Sequence, residues 1–148
     1  MNLKLYHFLI ENVKKPNTIT YTEIATYLGL GDINDFDVSE QISEMLRVIA
    51  IQEHEANRPV LTTCAVVRSW HGTRPGSGFY RQMRELGRFD SPSENDKFWF
   101  HIHQLWLAGT YWSGIEKNPD YTVEQAKNDI EIWMQERYRE LNLNSSNQ

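Results

Sequence analysis

The chain has 148 residues, a formal net charge of −5, 40% hydrophobic and 12% aromatic content. That length supports one domain with a modest core, and that apolar and aromatic content excludes a disordered chain. No apolar run reaches the roughly 18 residues of a membrane span, so no membrane partner is expected, and the single cysteine, Cys64, excludes an internal disulfide and fits a reducing, cytoplasmic setting.

The predicted elements, in chain order, are mostly helices. Leu5, Phe8, Leu9 and Val13 share one face, which predicts an amphipathic helix over 3–14 rather than a signal peptide. Pro16 ends it. "ITYTEIATYLGL" follows, with Thr20 or Thr22 as cap of a short helix and Gly29 just past its end. After a turn-rich "GDINDFD", Asp37 and Glu40 have capping-box spacing, and Val38, Ile42, Met45, Leu46 and Ile49 line a helix from about 38 to 54.

"PVLTTCAVV" reads as the best strand of the chain, being β-branched and apolar. "GTRPGSG" reads as a loop, Phe79 to Leu86 as a helix stopped by Gly87, and a second short strand is expected near Gly78 to Arg81 if that helix starts late. Ser93 or Asn95 starts the next helix, with Phe98, Ile102, Leu105 and Trp106 as its inner stripe. Val123, Ala126, Ile130, Trp133 and Tyr138 mark the last one, and residues 143–148 read as a frayed tail.

The fold class expected is mainly α with a small β element (α+β), as a single domain over 1–148. Residues 1–88 follow the order of a winged helix, and residues 89–142 form a helical pair. The first of these two helices is apolar nearly all round, which calls for burial on all sides and points to a homodimer interface there, or to a central core helix wrapped by the others.

Charge is unevenly distributed. Residues 1–57 hold four bases and nine acids, and residues 89–148 hold five bases and ten acids. Residues 58–88 hold six arginines and one acid, Glu85. Arginine offers a planar fork suited to phosphate and carboxylate. Arg68, Arg74, Arg81, Arg84 and Arg88 flank a glycine loop whose amides, with a helix N-terminus near Phe79, suit a phosphate. Arg81, Arg84 and Arg88 have the spacing of one helix face. The competing reading is that Arg58, Arg81, Arg84 and Arg88 pair with the acids of the two flanking segments.

The candidate ligand-binding residues are therefore Arg58, Arg68, Trp70, His71, Arg74, Gly76, Gly78, Arg81 and Arg84. Trp70, His71 and Phe79 offer faces on which a base could stack, although Phe79 reads better as core. Glu53 and Glu55 are expected to orient Arg58 or Arg68. No metal site is expected, because His101 and His103 lie two apart on a helix and point to opposite sides. No cofactor and no catalytic constellation are expected. "GTRPGSGF" lacks the Gly-Lys-Ser/Thr ending of a P-loop.

The string Tyr21, Glu23, Ile24, Ala25, Leu28 and Gly29, followed by Asn57, Pro59 and Cys64 and a later "RELG", resembles the winged-helix DNA-binding domain of alkylguanine alkyltransferases and alkyltransferase-like proteins, over about residues 18–88. That resemblance implies a winged-helix fold and DNA binding. Cys64 itself sits among apolar residues, where burial raises the thiol pKa, so alkyl transfer is not expected. Glu40, Glu44, Glu53 and Glu55 lie on the helix that would face phosphates.

Three functions stand from this reading. The first is a non-catalytic binding protein for a phosphate-bearing ligand, a nucleotide or cyclic oligonucleotide, suited to phage–host conflict. The second is a winged-helix DNA binder. The third is an enzyme acting on a nucleotide or nucleic acid, with Glu53 and His54 or His71 as acid–base groups.

Overall fold

The computed structural model describes residues 1–15, 17–69 and 72–146. The chain is mainly α with one small three-stranded sheet. Helix α1 (Leu3–Val13) starts where the Asn2 side chain accepts from the Leu5 amide at 2.9 Å, and it buries Leu5, Leu9 and Val13 completely. Strand β1 (Ile19–Thr20) leads directly into α2 (Tyr21–Leu28). Thr20 caps α2 in a full capping box with Glu23, and Gly29 closes it in the left-handed region at φ 68°.

Helix α3 (Phe36–Glu55) begins two residues earlier than its apolar stripe suggests. The cap is Asp35, whose carboxylate accepts from the Asp37 amide at 2.9 Å, not the Asp37–Glu40 box. α3 buries Val38, Ile42, Leu46 and Ile49 against α1, α2 and α5 (Glu94–Lys117). Each fully buried Leu or Ile stabilises the fold by about 1.5–3 kcal/mol, so this cluster dominates it.

The apolar run 59–67 is not one strand. Leu61–Cys64 forms a 3-10 turn, and β2 covers Ala65–Ser69. The turn exists because four consecutive residues, Leu61 to Cys64, are all buried between α1, α3 and α5. A strand would alternate them between two faces. β2 pairs in parallel with β1 (Ile19↔Ala65) and antiparallel with β3 (Gly72–Arg74; Arg68↔Thr73). The second strand expected at Gly78–Arg81 is therefore supplied by Gly72–Arg74. Residues 78–81 belong to α4 (Ser77–Glu85), which buries Phe79 and Met83 against Ala50 and Val60.

Helix α5 crosses the end of α1 at Gly109, where an added Cβ would lie 2.7 Å from the Val13 carbonyl oxygen. Backbone meets backbone there, so no side chain can swing aside. Gly109→Ala is expected to lower the unfolding free energy by about 1–3 kcal/mol in a urea titration. A change below about 0.5 kcal/mol, within the range of neutral surface changes, would show that the crossing relaxes freely.

Helix α6 (Val123–Ser146) packs on α5 through Ala126 and Ile130. It continues through Ser146, across the residues expected to fray. α5 is not buried on all sides: Phe98 and Trp99 are exposed near its start, and residues 131–142 of α6 are exposed throughout.

Candidate functional site

The fold disperses the six arginines, and acids claim half of them. Arg58 forms a two-pronged pair with Glu53, with Nε and Nη2 each 2.9 Å from a carboxylate oxygen. Arg74 Nη1 lies 2.9 Å from Glu94, and Arg84 Nε lies 3.1 Å from Asp90. Arg88 does not share the Arg81–Arg84 face. Gly87, at φ 71°, turns the chain after α4, and Arg88 donates instead to His54 Nδ1 and the Arg58 carbonyl. Arg68 and Arg81 are exposed and make no ion pair with any described residue. Trp70 and His71 lie outside the described residues.

The two expected orienting glutamates part company. Glu53 is 1% exposed, points inward and also accepts from the Tyr6 hydroxyl at 2.9 Å. It therefore leaves the outward acidic face of α3. Glu55 is exposed and holds neither Arg58 nor Arg68.

One part of the arginine segment does build a concave site. β3, the start of α4 and the first turns of α5 enclose a cleft of about 840 Å³. Its polar wall holds Thr18, Thr73, Arg74, Ser77 and Lys97, and Tyr80 and Phe98 supply aromatic faces. Glu94 is shared by Arg74 (2.9 Å) and Lys97 (3.5 Å), so two cations meet one carboxylate. Lys97 Nζ also stands 5.5 Å from the Tyr80 ring centre, and the Tyr80 hydroxyl donates to the Lys97 carbonyl at 3.2 Å. Burial pushes the Tyr80 pKa up to about 12, aided by Glu94 and opposed by Arg74, so the phenol stays protonated.

The first turn of α4 faces this cleft at Ser77. Its N-cap is Gly76, which offers no capping side chain. The Phe79 amide donates to the Gly76 carbonyl at 3.1 Å, and among the described residues the Ser77 and Gly78 amides have no acceptor, so these two are left to solvent or to a ligand. A Cβ at Gly78 would meet nothing within 4 Å, so the backbone there is open. At Gly76 the nearest atom would be a Val67 methyl at 3.8 Å, an ordinary contact.

No family model, curated protein or solved structure matches this chain. The site's chemistry is therefore read from its own geometry.

The floor of the cleft is His101, 6% exposed. Its Nε2 lies 2.9 Å from the Thr63 carbonyl, which only accepts, so Nε2 carries the proton. The Thr63 hydroxyl in turn donates to the His101 carbonyl at 3.3 Å. This pair ties the 3-10 turn to α5. Burial lowers the His101 pKa, and the Thr63 bond opposes that. The imidazole takes up a proton less readily in the fold than in the unfolded chain, which does so as pH falls through about 6.5. Over that window the unfolded state binds more protons, so stability is full above it and is lost as pH falls below it. The urea midpoint is expected to drop between pH 7 and pH 5, and His101→Gln is expected to flatten that drop. An identical pH profile in the variant would remove His101 from the account.

Phe79 is core, 9% exposed, and offers no face to a base. Cys64 is fully buried, with its thiol pKa pushed up to about 12 by desolvation. Among the described residues no cluster of three or more His, Cys, Asp or Glu is placed to hold a metal. None of their helices is long and apolar enough to cross a membrane.

Lys97, Tyr80 and Phe98 were not legible as site residues. Phe98 has the spacing of the α5 core stripe, yet it is 55% exposed and lines the cleft. The available signal was Glu94 and Lys97 in the first turn after the Ser93 cap, a charged turn placed where α5 must fold back over the start of α4.

Proposed function

We propose that the protein binds a phosphate-bearing ligand, a nucleotide or cyclic oligonucleotide, in the cleft between β3, α4 and α5, without transforming it. The observation that carries this reading is the uncapped start of α4 beside Arg74 and Lys97. Helix amides, a guanidinium fork and an ammonium then address one phosphate. Tyr80 and Phe98 give a base its stacking surface, worth about 1–3 kcal/mol per base. The volume is that of ordinary small-ligand clefts. Isothermal titration with ATP and with a cyclic dinucleotide tests the reading. Saturable binding that Lys97→Ala weakens supports it, and absence of heat with both removes it.

Winged-helix DNA binding is the second reading. It is favoured by the order α1–β1–α2–α3–β2–β3 and by Arg68 on the outer hairpin, exposed and without an acidic partner among the described residues. Against it, α3 presents Glu40, Glu44 and Glu55 to solvent, which repels a phosphate backbone. The buried, unpaired Cys64 suits a reducing, cytoplasmic setting.

A second copy of the chain is the proposed cover for the α5–α6 groove. That groove measures about 870 Å³ and is lined by Trp99, Trp106, Trp133, Met134, Tyr138 and Leu141. The apolar seam Trp133, Met134, Tyr138 and Leu141 runs along α6, beyond the buried contact of Ile130 with α5, over a stretch of roughly 12 Å. Such a seam matches itself across a two-fold axis. Tyr138→Asp with Leu141→Asp is expected to halve the mass measured by sedimentation. A wild-type chain that sediments as a monomer would refute the dimer.

A further inference from the structure

A second cleft lies on the opposite side of α5, and its charge balance differs from the first. It measures about 470 Å³ and sits between the C-terminal end of α3, the segment after it, α5 and the start of α6. Its polar walls are His54, Asn57, Arg58, Arg88, His103, Gln104 and Lys127, and among the described residues no carboxylate lines it.

Arg58 is neutralised by Glu53. Arg88 is not paired in this way. Its Nε donates to His54 Nδ1 and its Nη2 to the Arg58 carbonyl, both at 2.9 Å and both neutral acceptors. Arg88 makes no ion pair with any described residue, although it is partly buried; that burial lowers its pKa, and the more distant charge of Glu53, already paired with Arg58, opposes the shift only in part. A desolvated cation without a contacting counter-charge is costly. Lys127 adds a second charge. Among the described residues its acid partner is Glu124, 3.7 Å away and 83% exposed, so the pair is weak.

Two further observations point to a ligand. Gln104 is 8% exposed, and its Oε1 has no partner among the described residues. A buried amide oxygen without a donor is a group awaiting one. His54 accepts at Nδ1, so its neutral ring carries the proton on Nε2 and can donate. Nη1 of Arg58 and Nη1 of Arg88 also make no hydrogen bond among the described residues.

We propose that this cleft binds a phosphomonoester that carries a neighbouring hydroxyl. Arg88 and Lys127 match its two negative charges, Arg58 and His54 add donors, and Gln104 Oε1 accepts from the hydroxyl. Two weakly compensated cations favour a dianion over a single carboxylate. A buried Gln acceptor beside these donors favours a sugar-like phosphate over bare phosphate. The inference does not depend on the Arg74 cleft.

The test is an NMR titration of the full chain with glucose 6-phosphate and with inorganic phosphate, following the His54 and His103 ring signals. The expected result is a saturable shift with glucose 6-phosphate, tighter than with inorganic phosphate. It should be retained in Arg74→Ala and weakened about tenfold in Lys127→Gln. Arg88→Gln should lose it, but Arg88 also tethers His54 and Arg58, so the exposed Lys127 is the deciding variant. Shifts that fail to saturate, or a midpoint unchanged in Lys127→Gln, would overturn the proposal. Equal affinity for inorganic phosphate would overturn the role of Gln104.

Discussion

Glu53→Ala is expected to lower the unfolding free energy by about 3–5 kcal/mol, the range for breaking a buried charge pair from one side. Glu53 is the most buried charged group described, at 1% exposure. It accepts two bonds from Arg58 and one from Tyr6, all at 2.9 Å. Burial raises the Tyr6 pKa and the Glu53 charge raises it further, so the phenol keeps its proton and donates. The trio joins α1, the end of α3 and the segment entering the 3-10 turn. Removing the carboxylate leaves a guanidinium and a phenol with unmet donors. Glu53→Gln keeps the shape and an acceptor but loses the charge, so its loss should be smaller. Chemical denaturation of both variants decides the point. A loss under about 1 kcal/mol for Glu53→Ala would place the pair among ordinary surface bridges.

Arg74→Ala is expected to have the opposite profile, with a large loss of binding and little loss of stability. The Arg74–Glu94 pair is exposed, at 49% and 70%, and exposed pairs contribute at most about 1 kcal/mol. A guanidinium–phosphate bond contributes about 1.5–3 kcal/mol, so nucleotide affinity should fall roughly ten- to a hundredfold. Isothermal titration and urea denaturation of the same sample separate the two effects. Unfolding of Arg74→Ala would make this arginine a structural ion-pair partner and would empty the cleft of its main argument.

The sequence carried the helices well because their signals are local. Thr20 with Glu23, Gly29 after α2, Gly87 after α4 and Ser93 before α5 all act within a few residues. The Val38–Ile49 stripe likewise announces its own buried face. The misplaced elements were those decided by distant packing. Leu61–Cys64 has strand composition but coils because α1, α3 and α5 bury all four residues at once.

The same distinction governs the site. Clustering in sequence left open whether the arginines converge on a phosphate or pair with the flanking acids. The turn at Gly87 sends Arg88 to His54, and Arg58 is captured by Glu53 five residues before it. Only Arg74 of that group faces the larger cleft. Its companions Lys97 and Phe98 come from a helix some twenty residues later, and no spacing rule links them to it.

The central claim is that the protein holds a nucleotide-like phosphate rather than a duplex. The most direct measurement is binding of a labelled DNA duplex at low and near-physiological salt, with a nucleotide mixture as competitor. The account predicts no duplex binding, or duplex binding that nucleotides displace. Duplex binding that fades steeply with salt and ignores nucleotides would contradict it, because that dependence reports neutralised backbone phosphates.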